Sequence, residues 1–299
     1  MKVLYFLLIS ILFISCKKEQ AVEVSMKDDV SYLASDSLQG RQTGTSYEMM
    51  AANYIAKRFK DLGIEPRGTE AYFQEFSFTD KSDPHGNVAY VNKSEDGTIT
   101  GTNVVGYLNH NAENTIVIGA HYDHLGMGGE GSLFRGETPE IHNGADDNAS
   151  GIAVMLNLVK ELKSINTNNN YLFIAFSGEE IGLLGSNYYT KNPTIDLKKV
   201  NYMINMDMVG RLNKENTIAV HGVGTSPTFK QTLFANKGSL NIAEHESGVG
   251  PSDHTSFYLM DLPVLHFFTG QHEDYHKPGD DTEKLNYEGM ELIKQYILS

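Results

Sequence analysis

Residues 171–185, YLFIAFSGEEIGLLG, form an apolar run that leads through Ser-Gly into two adjacent carboxylates. The run at residues 171–176 is too short for a helix and predicts a strand buried on both faces of a parallel sheet. Ligands of open α/β sheets bind beyond the carboxyl ends of the strands, where this stretch carries Glu179 and Glu180. Adjacent carboxylates raise each other's pKa unless a cation binds them. The stretch therefore indicates a metal site, although acidic residues that begin a helix would give the same pattern.

A second buried strand is predicted at residues 115–120, TIVIGA, and it ends directly in His121. A metal-bound imidazole usually donates its second N–H to a carboxylate. Asp123, two residues further on, is a candidate acceptor for that hydrogen bond. The pair places a possible ligand and its supporting group at one strand end.

A glycine-rich turn at residues 143–151, NGADDNASG, contains Asp146 and Asp147. It leads into an amphipathic helix predicted at residues 152–162. An Asp at a helix start is usually a cap. Two carboxylates in such a turn, after a strand-end histidine, favour one as a metal ligand and the other as local support.

Two further strands end near polar residues. The strand predicted at residues 200–206 leads into Asp207, and the one predicted at residues 262–268 precedes a loop that contains His276. A helix is predicted at 46–62, where Thr45 or Ser46 caps the start and Gly63 ends the helix. The other predicted elements are strands at 72–78, 88–91, 103–108 and 218–220 and a helix at 287–298.

Composition sets outer limits. A chain of 299 residues with 40% hydrophobic residues can bury a full core, and residues 25–299 are predicted to form one α/β domain. The formal net charge of −14 argues against nucleic acid as a partner, because phosphate binding needs a basic surface.

The first residues have the build of a secretory signal: Lys2 precedes an apolar run too short to span a bilayer. We expect residues 1–15 to be a signal peptide and residues 16–24 to be a tether. Cys16 is the single cysteine, so no intrachain disulfide can form. Its position resembles that of the acylated cysteine in the lipobox of bacterial lipoproteins, although Phe13 stands where Leu is usual. Export to the periplasm or cell surface with a lipid anchor at Cys16 is expected, and plain cleavage is the alternative.

The strand ends together offer histidines and carboxylates without thiolates, a set that suits zinc and also cobalt or manganese. The set comprises His121, Asp147, Glu179, Glu180, Asp207 and His276. One catalytic zinc needs three protein ligands, so six groups fit two ions better. A shared Asp, with one His and one carboxylate on each ion, would use five groups and leave one as a base.

The motifs in their order resemble the co-catalytic di-zinc exopeptidases, which include bacterial leucyl aminopeptidases and the glutamate carboxypeptidase II group. The likeness runs from about Leu33 onward through LASDSLQGRQTGT, GAHYDHLG, NGADDNASG, AFSGEE, NMDMVGR and YHKPGDDT. It implies an α/β fold of three layers, αβα, with a mixed, mainly parallel central sheet. It also implies two Zn²⁺ per chain.

By this resemblance each site residue receives a role. The expected metal ligands are His121 on one ion, Asp147 between both, Glu180 and Asp207 on one ion each, and His276 on the second. Glu179 matches the general base of the family, which activates a water between the ions. Tyr275 matches a tyrosine that assists the oxyanion in some relatives. Asp123 matches the residue behind the first histidine, and the Asp147-Asn148 peptide bond is expected to be cis.

The resemblance implies hydrolysis of peptides, and an aminopeptidase acting on free N-termini is favoured. A carboxypeptidase would need a basic clamp, and no arginine cluster stands near the motifs. The alternatives are a carboxypeptidase or dipeptidase of the same family, a one-zinc glutaminyl cyclase, and an inactive binding lipoprotein. Arg211 is expected to contact substrate, steady Asp207 or form a buried ion pair. The sequence assigns no role to His221, His266 or the Ser252-Asp253-His254-Thr255 segment.

Overall fold

The computed structural model describes residues 25–79, 89–91 and 97–299. The expected signal peptide, the tether and Cys16 lie outside the described residues, as does Val88 of the strand predicted at 88–91. Within that predicted strand, Tyr90 forms an isolated antiparallel bridge with Phe78. No helix in the described ranges is both long and apolar enough to cross a membrane.

Within the described residues, nine strands form one sheet. They are β1 (Glu65–Pro66), β2 (Phe73–Thr79), β3 (Thr98–Leu108), β4 (Thr115–His121), β5 (Asn170–Phe176), β6 (Val200–Met206), β7 (Thr217–His221), β8 (Asn241–His245) and β9 (Val264–Phe268). Their order is β1-β3-β5-β4-β6-β9-β7-β8, and β2 also pairs with β3. The centre, β5-β4-β6-β9, is parallel, and β3 and β7 flank it antiparallel. The predicted mixed sheet is confirmed.

Helices cover both faces of this sheet. They are α1 (Met26–Leu33), α2 (Ser46–Asp61), α3 (Gly151–Leu162), α4 (Leu184–Lys191), α5 (Phe229–Asn236), α6 (His254–Tyr258) and α7 (Tyr287–Leu298). Ile118 and Phe173 point into a core shared with α1, α2, α3, α5 and α7. Leu172 and Ile174 alternate with them and pack with α4 and α6 on the opposite face. The three-layer αβα architecture follows from this alternation.

The ends of α2 agree with the sequence prediction. Thr45 is the N-cap, and its side chain accepts a hydrogen bond from the Glu48 N–H. Gly63 follows the last turn with a φ of 72°, a conformation that glycine adopts without steric cost. By contrast, α4 begins at Leu184, so the alternative that Glu179 and Glu180 simply begin the next helix is wrong.

Candidate metal centre

The carboxyl ends of the four central strands bring polar side chains to one edge of the sheet. His121 is the last residue of β4, and Asp207 directly follows β6. Glu179 and Glu180 come three and four residues after β5, and His276 lies in the loop after β9. Because these strands are parallel, residues far apart in sequence meet beyond the same edge.

Asp147 reaches this edge from the turn that precedes α3. Its peptide bond to Asn148 is cis, as the family resemblance implied. The Asn148 side-chain amide donates to the carbonyl of Met206 at the end of β6, 2.9 Å away. A carboxylate oxygen of Asp280 accepts the N–H groups of both Asp146 and Asp147, at 2.9 and 3.0 Å. The bond to Met206 fixes the turn against the strand that leads into Asp207, and the bonds to Asp280 fix it against the loop that carries His276.

His121, Asp147 and Asp207 form the first of two groups of possible ligands. The His121 Nε2 lies 3.1 Å from Asp147 Oδ1 and 3.4 Å from Asp207 Oδ1. Glu179 stands slightly further out, with its Oε2 4.0 Å from the same nitrogen. Asp147 and Asp207 are therefore positioned as partners of His121, and Glu179 borders the group.

The second group comprises His124, Asp147 and Glu180, and His276 lies beside it. The His276 Nε2 is 3.2 Å from Asp147 Oδ2 and 3.2 Å from Glu180 Oε2. His276 is held from behind because its Nδ1 lies 2.8 Å from the carbonyl of Gly131, which accepts its N–H. The two oxygens of Asp147 thus face two different histidines.

These distances are compatible with zinc binding. Ligands at about 2.0–2.1 Å from a tetrahedral ion lie about 3.3 Å from one another. The four separations between the histidine nitrogens and their carboxylate partners match that value. The His121 Nε2 is moreover fully buried and has no hydrogen-bond partner, as expected of an atom whose lone pair is reserved for a cation. The residues present fit a metal at each group.

His124 is a residue of the centre that the sequence analysis missed. Its Nδ1 lies 2.6 Å from Glu180 Oε1, and it forms a group of possible ligands with Asp147 and Glu180. Its Nε2 is buried without a partner. A signal was present, because His124 follows His121 within the GAHYDHLG motif. Three residues beyond a strand end, however, the direction of a loop side chain depends on tertiary packing.

Asp123 lies behind His121 but contacts it differently from the sequence expectation. The His121 Nδ1 is 3.2 Å from the main-chain carbonyl of Asp123 and 3.6 Å from its carboxylate. The carboxylate accepts the Glu179 N–H at 3.2 Å and the Thr43 hydroxyl at 3.0 Å. Asp123 therefore orients His121 through its backbone and the Glu179 segment through its side chain.

The surroundings make Glu179 a strong proton acceptor. Burial raises the pKa of its carboxyl, His121 lowers it, and the nearby carboxylates of Asp207 and Glu180 raise it further. The resulting pKa lies well above the ordinary value. Burial also disfavours the charge of Asp147, yet His121 and His276 together hold the pKa of that carboxyl well below its ordinary range. The pKa values of Glu179 and Asp147, two neighbouring carboxyl groups of one centre, are thus shifted in opposite directions. Such a separation of pKa values is what acid–base chemistry requires.

Tyr275 stacks on the ring of His276, with ring centroids 3.8 Å apart, and lines the same cavity. Burial and the surrounding carboxylates raise the pKa of its hydroxyl. The hydroxyl therefore keeps its proton at neutral pH and can donate a hydrogen bond into the cavity.

Arg211 forms ion pairs away from the ligands. Its guanidinium lies 3.0 Å from Asp274 and 3.4 Å from Asp280. Of the alternatives considered from the sequence, the ion pair is the one that the structure contains. Since Asp280 also accepts the N–H groups of the Asp147 turn, Arg211 contributes to the centre indirectly.

Arg41 is a second residue whose part the sequence did not reveal. It is almost completely buried and donates to the carbonyls of Tyr122 at 2.7 Å, Asn143 at 2.7 Å and Gly144 at 3.1 Å. The charge thereby joins the end of β4 to the turn that carries Asp147. Its position in the glycine-rich LQGRQTG stretch was visible, but its carbonyl partners come together only in the folded chain.

A cavity of about 370 Å³ opens beside the ligands. Its lining includes the carboxylates of Asp147, Glu179, Glu180 and Asp207, together with Tyr275 and His276. The same cavity is also lined by His221, Pro251, Ser252, His266, Phe268 and Gln271. The centre therefore faces a space that a small part of a substrate can enter.

Known proteins share this fold and parts of this sequence. A probable leucine aminopeptidase of Trichophyton verrucosum (strain HKI 0517) is 34% identical over 173 residues, which cover 54% of this chain and 44% of the relative. The aminopeptidase from Aneurinibacillus sp. strain AM-1 has a similar structure, with a TM-score of 0.69, 19% identity and coverage of 91% of both chains. The Porphyromonas gingivalis glutaminyl cyclase has a TM-score of 0.71 and 18% identity, with coverage of 92% of this chain and 95% of that chain.

The structural likenesses, at these identities, show the fold alone. The chain spans about half the length of the curated relatives that it matches. The sequence pattern of Peptidase family M28 matches residues 103–299, which is more than half of the chain and includes all the ligand groups described above. The chain therefore belongs to Peptidase family M28.

Proposed function

We propose that this protein is a zinc-dependent aminopeptidase that removes residues from peptides with a free N-terminus. The observation that carries the proposal is the position of Asp147, whose two carboxylate oxygens lie 3.1 and 3.2 Å from two different histidines. Membership of a peptidase family and the relatives named leucine aminopeptidase support it.

The proposed cofactors are two Zn²⁺ per chain, for which Co²⁺ or Mn²⁺ could substitute. His121 and Asp207 would hold one ion, Glu180 and His276 the other, and Asp147 would contact both. Zinc, when bound, polarises the scissile carbonyl and lowers the pKa of water. The remaining steps belong to the side chains of the protein.

Glu179 is proposed as the general base. Its carboxylate borders the first ligand group without belonging to it, 4.0 Å from His121 Nε2. From there it takes a proton from the attacking water and returns that proton to the leaving amine. Tyr275 is proposed to donate its hydroxyl proton in a hydrogen bond to the carbonyl oxygen as negative charge develops there.

The preference for a free N-terminus rests on charge. Zinc ions would neutralise the carboxylates of Asp147, Glu180 and Asp207, and no lysine or arginine is among the described residues that line the cavity. The cavity therefore offers no basic clamp for a terminal carboxylate, which supports an aminopeptidase over a carboxypeptidase.

The test compares one peptide series with free and with acetylated N-termini, using the zinc-loaded protein. We expect release of the first residue from the free peptides and no release from the acetylated ones. Cleavage of acetylated peptides at internal bonds, or removal of C-terminal residues, would contradict the proposal.

A glutaminyl cyclase is the second candidate, because an enzyme of that kind has a similar fold. Cyclisation of an N-terminal Gln releases ammonia, whereas hydrolysis splits the peptide in two, so mass spectrometry of a Gln-initiated peptide separates them. The two ligand groups around Asp147 favour the peptidase, since the cyclase is expected to need one zinc. An inactive binding lipoprotein would leave both kinds of peptide unchanged.

Export and lipid anchoring are a separate proposal that rests on the first residues of the sequence. We infer that cleavage before Cys16 and acylation of its thiol attach the protein to a membrane at the periplasmic or outer cell surface. A Cys16→Ser variant should move from the membrane fraction to the soluble exported fraction. Equal membrane association of both proteins would contradict the anchor.

A further inference from the structure

Besides the ligands, the cavity is lined by polar side chains, of which Ser252 and His266 are buried. His221 at the end of β7 and His266 in β9 are directly paired across the two strands, so both rings lie on one face of the sheet. They line the cavity together with Ser252 and Gln271. We refer to these four residues as the polar wall.

We propose that the polar wall receives the side chain of the first substrate residue and selects an uncharged carboxamide, Gln or Asn. The inference rests on the proposed aminopeptidase function, because the cavity joins the polar wall to the ligand groups. A terminal residue whose scissile carbonyl lies at the ligands extends its side chain into the rest of the same space.

Asn205 determines which hydrogen-bonding groups the polar wall presents. This fully buried side chain lies behind the wall, and its amide nitrogen donates to Ser252 Oγ at 2.8 Å and contacts His266 Nδ1 at 3.2 Å. The His266 proton is then on Nε2, and the Ser252 hydroxyl keeps its own proton to donate. The amide of Gln271 adds a group that both donates and accepts.

Ring stacking holds the two imidazoles in place. His266 stacks on His254, with ring centroids 4.4 Å apart and an interplanar angle of 3°. His221 stacks on His245 of β8 at 4.2 Å and 12°. Groups that are held before the substrate arrives lose little entropy on binding, so their hydrogen bonds can discriminate between side chains.

Charge and polarity together favour a carboxamide. An aliphatic side chain would leave the buried donors of His266 and Ser252 without partners. A lysine or arginine would bring its own donors against those of the wall. A carboxylate would find no cation there, because burial and the neighbouring His245 lower the pKa of His221. A carboxamide both accepts and donates without a charge.

The experiment measures kcat/KM of the zinc-loaded protein on the dipeptides Gln-Ala, Met-Ala, Leu-Ala, Glu-Ala and Lys-Ala. Met and Glu are matched to Gln in size. We expect kcat/KM for Gln-Ala to exceed that for Met-Ala about tenfold, the effect of one or two net hydrogen bonds. The His221→Leu and Ser252→Ala variants should each bring this ratio towards one.

His110→Leu is the matched control, because His110 lies beside Tyr171 at the edge of the sheet opposite the ligands and does not line the cavity. This variant should keep the ratio of the unchanged protein. Calorimetric binding of Gln-Ala and Met-Ala to the Glu179→Gln protein gives a second measurement that does not depend on turnover.

The outcomes separate the pocket from the function. The assignment of the polar wall would be overturned if Met-Ala or Leu-Ala were cleaved as well as Gln-Ala or better. It would also be overturned if His221→Leu and Ser252→Ala left the ratio of kcat/KM for Gln-Ala to that for Met-Ala unchanged. Ammonia release from Gln-Ala without splitting would overturn the aminopeptidase and support the pocket. If no dipeptide reacts, the proposed function fails, and the calorimetric preference alone decides the pocket.

Discussion

Glu179 borders the first ligand group with its Oε2 4.0 Å from His121 Nε2, and its backbone N–H is held by Asp123. As a base it acts on a proton and not on the metal. We therefore expect Glu179→Gln to lower kcat by about 10²–10⁴ with little change in KM, which is the size of a general-base contribution. Elemental analysis should find the zinc content unchanged, and Glu113→Gln, an exposed substitution at the other end of β4, should keep full activity. Loss of zinc from Glu179→Gln would mean that the residue is a ligand.

Glu48 is a buried carboxyl inside the fold that supports the centre. It accepts the Gly44 N–H at 2.6 Å, the Thr102 N–H at 3.1 Å and the Tyr122 hydroxyl at 3.1 Å. Burial raises its pKa from 4.5 to about 7, in spite of hydrogen bonds that lower it. The protonated form is thus favoured by folding, so its contribution to stability is complete below pH 4.5 and is lost as the pH rises through 7.

The matching prediction concerns Glu48→Gln, which cannot titrate. The free energy of unfolding of the variant, relative to that of the unchanged protein, should increase between pH 4.5 and pH 8 by on the order of 3 kcal/mol. Any cost of the amide itself is the same at both pH values and cancels in this difference. Urea unfolding at the two pH values measures it, and parallel pH dependences would show that Glu48 titrates normally.

At the scale of elements, the entry to α2 depends on a local cap. The Thr45 side chain accepts the Glu48 N–H at 3.2 Å, which satisfies one of the free donors at the helix start. Thr45→Ala should lower the free energy of unfolding by about 1 kcal/mol. Denaturant unfolding with an unchanged m-value measures this loss, and Ser46→Ala, one residue inside the helix, should cost clearly less. Equal effects of the two substitutions would argue against the cap.

At the scale of the whole molecule, the ligand groups join segments that are distant in sequence, so metal should stabilise the complete fold. Zinc at about a hundredfold excess over its Kd contributes about 2.7 kcal/mol per site. Chelation should therefore lower the midpoint of thermal unfolding and abolish activity, and added zinc should restore both. Elemental analysis should find two zinc ions per chain, and Asp147→Asn should reduce the content at both sites. One ion per chain, or activity that survives complete removal of metal, would contradict the proposed centre.

The central strands and the ligand positions could be read from the sequence because each depends on a local pattern. The apolar runs that became β4, β5 and β6 are buried along most of their length, and β4 and β5 are buried throughout. The short edge strand β8 was not predicted because most of its residues are exposed, and α6 was not predicted because five residues are too few to show a period. His124 and Arg41 were missed since their partners come from other segments.

The sequence alone thus determined where the central buried strands lie along the chain, which residues follow them and which family the chain resembles. The reason is that hydrophobic period and motif spacing are properties of contiguous residues. Only the tertiary structure decided that His124 contacts Glu180 within the centre, and that Asp123 supports the Glu179 segment. The same holds for the pairing of His221 with His266 across the antiparallel β7–β9 pair. The physical reason is that distances of about 3 Å between remote segments are set by sheet order and packing, which no short stretch of sequence encodes.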